Sequence, residues 1–146
     1  MKKIAFILSV LLVSCSSPKK IVRVNHSNLP TPIGPYSHSV RYDNLIFVSG
    51  QIGVDPKTNI LKESIEEQTI QIFENLKVIL KDNHSDLNHI VKTTIFITNI
   101  KQYDVVNKLY GQYFENNYPA RTTIQIVALP KNAAIEIEFV AVKSQN

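Results

Sequence analysis

A single cysteine, Cys15, serves all 146 residues, so no intramolecular disulfide framework and no cysteine-based zinc finger can hold this chain together. Glycine is almost as scarce: four residues, with no GxGxxG and no P-loop pattern, which excludes a glycine-rich phosphate cradle. No apolar run approaches the roughly 18 residues that a transmembrane helix requires. The four histidines, His26, His38, His84 and His89, are scattered, and none stands four residues from another as metal-ligating helix pairs do. No serine sits in a recognisable nucleophile elbow with a His/Asp pair, which argues against a serine hydrolase. What remains is the composition of one globular domain: 44% hydrophobic, 19% charged and 8% aromatic.

The first residues read as an address. Lys2 and Lys3 form a positive n-region, and Ile4 to Val13 an apolar core broken only by Ser9. That core is long enough for a signal peptide and too short to span a bilayer. Leu12-Val13-Ser14-Cys15 resembles the bacterial lipobox, in which the cysteine is acylated and becomes the mature N-terminus. The expected organisation is a lipoprotein signal peptide at 1–14, a polar tether at 15–20 and a folded domain at 21–146. The expected location is the bacterial cell envelope, with the chain exported and lipid-anchored through Cys15. The formal net charge is +4, from 16 basic and 12 acidic residues. Losing Lys2 and Lys3 leaves 14 − 12 = +2, too little to predict a nucleic-acid partner.

Residues 21–25, 36–42 and 45–49 read as strands, with Asp43-Asn44 as a two-residue hairpin turn. Ser64 and Glu67 form a capping box ahead of a helix whose apolar face is Ile65, Ile72, Phe73, Leu76, Ile79 and Leu80. A β-branched strand follows at 90–100, then a helix at 102–116 with the apolar stripe Tyr103, Val106, Tyr110, Tyr113 and Phe114. Two strands, 120–128 and 135–143, close the chain. The pattern predicts an α+β sandwich, a mixed sheet with two helices on one face. Apolar residues also occupy the other face, so that face calls for a second copy of the chain.

Two features carry possible chemistry. Arg121 heads a strand directly after Pro119-Ala120. Glu136 and Glu138 alternate with Ile135, Ile137 and Phe139 and so share a face. In one reading Arg121 pairs with a glutamate across the sheet, or the glutamates face water. In the other, Arg121 grips a small carboxylate in a bidentate fork while a glutamate handles a water or a proton beside it.

Several segments together resemble the RidA (YjgF-type) family. They are Pro32-Ile33-Gly34-Pro35-Tyr36-Ser37, Ser49-Gly50-Gln51 with Asp55-Pro56, Val91-Lys92-Thr93-Thr94-Ile95-Phe96, Pro119-Ala120-Arg121-Thr122, Leu129-Pro130-Lys131 and Ile135-Glu136-Ile137-Glu138. The match runs in order from about residue 30 to 143. The resemblance implies a chorismate-mutase-like fold assembled as a homotrimer, with ligand sites in inter-subunit clefts. It implies hydrolytic deamination of reactive enamine/imine acids, such as 2-iminopropanoate and 2-iminobutanoate, to 2-keto acids and ammonia. No metal and no organic cofactor are implied.

Carried over by position, Arg121 matches the carboxylate-binding arginine, Glu136 the glutamate that positions water, and Tyr36 a cleft tyrosine. Ser49, Gly50 and Asn107 match cleft residues. Thr123 stands where many members carry cysteine, and its bulk is expected to reshape the pocket. The expected partners are a 2-imino or 2-keto acid, further copies of the chain, and a membrane through the N-terminal lipid. A non-catalytic carboxylate-binding or envelope interaction module is the alternative; an endoribonuclease is disfavoured by the near-neutral charge.

Overall fold

A computed structural model describes residues 20–144 of the chain. The signal peptide expected at 1–14, the lipidation of Cys15 and the tether up to Lys19 lie outside the described residues. The elements are β1 (Ile21–Val24), β2 (Ser39–Tyr42), β3 (Leu45–Ile52), α1 (Ile65–Asp82), β4 (Ile90–Ile97), α2 (Tyr103–Gly111), β5 (Ala120–Gln125) and β6 (Ile135–Val142). The strands form a six-stranded sheet in the order β1-β2-β3-β6-β4-β5. Its pairs are antiparallel except β4 with β5, so the sheet is mixed, as expected.

Local chemistry sets the boundaries. Asp43 takes the left-handed conformation (φ 57°) that a tight two-residue hairpin requires, and so closes β2 onto β3. Ser64 caps α1, its hydroxyl accepting from the Glu67 N–H while the Glu67 carboxylate accepts from the Ser64 N–H. Asn83 ends the helix, and His84 follows it in a left-handed conformation (φ 58°).

The helices cover one face of the sheet. Ile135, Ile137, Phe139 and Ala141 of β6 point under them and are buried, together with Ile46, Val48, Ile95 and Ile97. Phe73 of α1 sits at the centre, stacked on Tyr113 at 3.9 Å and edge-on to Tyr110, Phe114 and Phe139. Among the described residues no helix covers the opposite face. Phe47, Tyr42, Ile21 and Ile124 stand 42–51% exposed on it.

Several element ends differ from the sequence expectation: the fifth strand, expected over 120–128, stops at Gln125, the first and last strands are each one residue shorter, and four further differences have a local reason. The second strand begins at Ser39 rather than Tyr36, because Tyr36 donates its N–H to Gly34 and belongs to a loop. The third runs on to Ile52 through a bulge between Val48 and Gln51. The fourth stops at Ile97, where Asn99 caps a tight turn through its side chain. The second helix ends at Gly111, and the left-handed Glu115 and Asn116 carry the chain away.

Candidate active site

Register decides which side chains can meet. Thr93, Ile95 and Ile97 of β4 lie on the helix-covered face, and their β5 partners are Arg121, Thr123 and Gln125. Phe96 and Thr94 lie on the open face, opposite Glu136 and Glu138 of β6. Directly paired residues share a side of the sheet. Arg121 and Glu136 therefore sit on opposite faces, and the ion pair across the sheet is excluded within one chain. The site residues gather instead into two separate cavities.

The first cavity, about 320 Å³, is lined by Asn107, Tyr110, Gly111, Tyr118, Pro119 and Arg121. The face of α2 builds it: Tyr103, Asn107 and Tyr110 recur at i, i+4 and i+7 and all turn toward β5. Arg121 Nη2 donates to Asn107 Oδ1 at 2.7 Å and to the Tyr103 hydroxyl at 3.4 Å. Its guanidinium lies 4.6 Å from the centroid of the Tyr110 ring, a cation–π distance. The Tyr110 hydroxyl donates to Thr93 Oγ1 at 3.1 Å. Burial holds that phenol above its ordinary pKa, opposed by the Thr93 bond and the Arg121 charge, so the ring stays neutral. Every partner of Arg121 is thus uncharged. Among the described residues no carboxylate pairs with it, and its Nε and Nη1 make no protein hydrogen bond. A fixed cation with free donors in an aromatic cavity suits a small carboxylate. Thr123 shares the Arg121 face of β5 but is not among the residues lining this cavity.

The second cavity, about 350 Å³, opens on the other face, between Ile33, Tyr36, Ser49, Gly50, Ile52, Pro130, Glu136 and Glu138. Tyr36 reaches it from the loop between β1 and β2, its hydroxyl accepting from the Ile33 N–H at 3.4 Å. Ser49 donates its hydroxyl to the Ser37 carbonyl at 2.7 Å, pinning the β3 bulge to that loop. A bulge re-aims the backbone beside a site. Here it brings Gly50 onto Glu136 so closely that a Cβ on Gly50 would collide with the Glu136 carboxyl group. The carboxyl fits because Gly50 has no side chain. Burial, and then the neighbouring charge of Glu138, push the Glu136 pKa above the ordinary carboxylate value. Such a group keeps its proton to higher pH than an ordinary carboxylate.

The structure thus joins Arg121 with Asn107, and Tyr36 with Ser49, Gly50 and Glu136, and leaves the two groups apart. Sequence reasoning missed Tyr110 and Tyr118 as walls of the arginine cavity and Tyr103 as a hydrogen-bond partner of Arg121. Their signal was the polar Asn107 inside an aromatic stripe, which marks a helix face aimed at something other than core. Among the described residues no group of three or more His, Cys, Asp or Glu gathers as a metal cage.

The chain is similar to known proteins over most of its length. The chain is 44% identical over 132 residues to Reactive Intermediate Deaminase A of the Arabidopsis thaliana chloroplast, covering 90% of this chain and 70% of that protein. It is 40% identical over 121 residues to the human 2-iminobutanoate/2-iminopropanoate deaminase, covering 82% and 88% of the two chains. The solved structure of the E. coli YjgF gene product superposes with a TM-score of 0.79 at 35% identity, over 84% of this chain and 99% of that one. Residues 26–143 match the family described as Endoribonuclease L-PSP, and the chain belongs to that family, the RidA/YjgF family that its motifs resemble.

Proposed function

We propose that the chain is a deaminase of reactive 2-imino acids, such as 2-iminopropanoate and 2-iminobutanoate, working as a homotrimer. In this reading the two cavities are halves of one site. The Arg121 half of one copy meets the Glu136 half of the next, and the exposed apolar sheet face is where copies pack. The observation that carries the reading is Arg121 itself, held by neutral partners with its Nε and Nη1 unbonded among the described residues.

The chemistry follows from the residues. Arg121 takes the substrate carboxylate, and the imine carbon is presented to the opposite half-site. Glu136 removes a proton from a water as its oxygen adds to that carbon, giving a tetrahedral carbinolamine. The proton passes to the nitrogen, with the Tyr36 hydroxyl as a second carrier. The carbinolamine hydroxyl then gives its proton, through the same carriers, to the amino group; the C–N bond breaks as the C=O bond forms, and 2-keto acid and ammonia leave. Ser49 and Gly50 contribute fixed backbone groups that need no reorganisation. Thr123, beyond the cavity wall, shapes the site from a distance.

The endoribonuclease activity in the family description fits less well. Among the described residues Arg121 is the only cation lining the two cavities, and the second presents two carboxylates, an unfavourable surface for a phosphate backbone. For location, the lipobox-like Cys15 supports an exported, lipid-anchored protein. Three acyl anchors on one trimer would bind a membrane far more firmly than one.

The test is imine hydrolysis by the purified full-length chain, with an amino-acid oxidase generating 2-iminopropanoate in situ. The wild type is expected to accelerate keto-acid release. Arg121→Ala is expected to lose about 100-fold or more in kcat/KM, since it removes a charge-assisted bidentate contact. A folded wild-type oligomer that leaves the imine at its buffer rate would instead favour a binding module without turnover.

A further inference from the structure

The loop 25–38 joins β1 to β2 and carries Tyr36 into the Glu136 cavity without any helix or strand of its own. A long irregular loop needs a specific anchor to present a side chain reproducibly. That anchor is at its neck, where two buried histidines face each other with ring centroids 5.8 Å apart.

His38 is 2% exposed, and both of its ring nitrogens are engaged. Nδ1 accepts the backbone N–H of His26 at 3.0 Å, and Nε2 lies 2.9 Å from the carbonyl oxygen of Pro30. A backbone N–H can only donate and a carbonyl can only accept. The ring must therefore be neutral, with Nδ1 bare and its proton on Nε2. A second proton, on Nδ1, would point straight at the His26 N–H. Burial also lowers the His38 pKa, the charge of His26 adding to that against the Pro30 bond, which is consistent with the same state.

The backbone of His38 completes the anchor. Its N–H donates to Asn25 Oδ1 at 3.1 Å, and its carbonyl accepts the Ser49 N–H at 3.0 Å. One residue thus ties the start of the Pro30–Tyr36 wall to the Ser49–Gly50 wall of the same cavity. His38 also lines a crevice of about 40 Å³ beside Tyr36 and Gly50.

Its neighbour is fixed in turn. His26 Nδ1 lies 2.8 Å from Asp82 Oδ2 at the end of α1, and Nε2 lies 3.4 Å from Ser39 Oγ, which accepts from Asn83 Nδ2 at 3.0 Å. Ser39–His26–Asp82 has the hydrogen-bond order of a hydrolase triad. Ser39 is wholly buried and lines none of the cavities described above, so the array fixes the neck and attacks nothing.

We infer that His38 is a positioning residue for the proposed deamination, a neutral imidazole that sets the Tyr36 wall against the Gly50–Glu136 wall. This rests on the imine reading above. Its effect should fall on turnover more than on substrate capture, because Arg121 lies on the other face of the sheet.

Two variants of the full chain test it. His38→Gln keeps one acceptor and one donor, whereas His38→Leu keeps the bulk and loses both. With 2-iminopropanoate, His38→Leu should lower kcat by about tenfold or more with KM little changed. His38→Gln should restore most of kcat. Wild-type kcat in His38→Leu, or an equal loss in both variants, overturns the role. If His38→Leu does not fold, the imidazole nitrogen NMR spectrum of the wild type decides. A bare Nδ1 and protonated Nε2 on His38 at neutral pH support the anchor, and the other tautomer or a charged ring overturns it. Failure of the wild type to accelerate any imine overturns the imine reading, while the nitrogen spectrum still reports on the anchor.

Discussion

The two cavities are built by opposite means. The Arg121 cavity is made of side chains on regular elements: a β5 residue met by one face of α2, with Asn107 and Tyr110 fixing the guanidinium from two directions. The Glu136 cavity is made of departures from regularity: a loop, a bulge and a missing side chain, with Glu136 the one proposed catalytic group of this cavity that stands on a regular strand. The first holds a permanent charge among neutral partners. The second holds a carboxyl group pushed toward its neutral form by burial and by Glu138. A binding group gains from a rigid surround that does not cancel its charge, and a proton-transfer group from a pKa brought toward the working pH. The division of labour in the proposed function is already present in these two constructions.

The sharpest way to break the contrast is Gly50→Ala. The new Cβ would displace the Glu136 carboxyl, the flexible end of a side chain, so the fold should survive. We expect kcat to fall by about 10- to 100-fold, from misplacement of the reacting group, with KM nearly unchanged and the thermal melt still cooperative. An unaltered kcat would show that the Glu136 position is not critical.

Asn107→Ala probes the other half more gently. It removes one hydrogen bond to a charged group, worth about 1.5–3 kcal/mol when buried. The Tyr103 hydroxyl and the Tyr110 ring remain. The expected result is a rise of about tenfold in KM for the imine, with a smaller change in kcat. If kcat fell and KM did not, the assignment of binding to this half would be wrong.

The smallest effect is on stability. The folded pKa of Glu136 lies above its unfolded value, so the native state retains a proton that the unfolded chain has released. Ionising Glu136 therefore costs stability as pH rises from the ordinary carboxylate value through the raised one. Glu136→Gln should melt slightly higher than wild type at neutral pH while losing imine hydrolysis. The difference should vanish below about pH 4. Melting curves of both proteins across that range check the sign.

The sequence disclosed these regions unequally. The α1 capping box, the Asp43-Asn44 turn and the alternation of β6 are local signals, and all three are realised in the structure. Glu136 and Glu138 share a cavity because a period of two forces it. The separation of Arg121 from Glu136 depends on pairing of β4 with both β5 and β6, a nonlocal register that no single strand encodes. The bulge at Ser49–Gly50 likewise appears only when β3 meets β6. Tyr103 and Tyr110 read as core because an aromatic stripe looks the same whether it packs on Phe73 or on a guanidinium. His26 and His38 looked like isolated histidines, since twelve residues separate them and only closure of the loop makes them neighbours.

The central claim is that a complete site needs two copies of the chain, and complementation tests it most directly. Arg121→Ala and Glu136→Gln should each be inactive alone. Co-expressed in equal amounts, they form mixed oligomers in which some clefts pair an intact Arg121 with an intact Glu136 from different copies. Random mixing places both in about one cleft in four, so roughly a quarter of wild-type imine hydrolysis should return. Mixed oligomers of confirmed composition that stay at the buffer rate would contradict a site shared between copies.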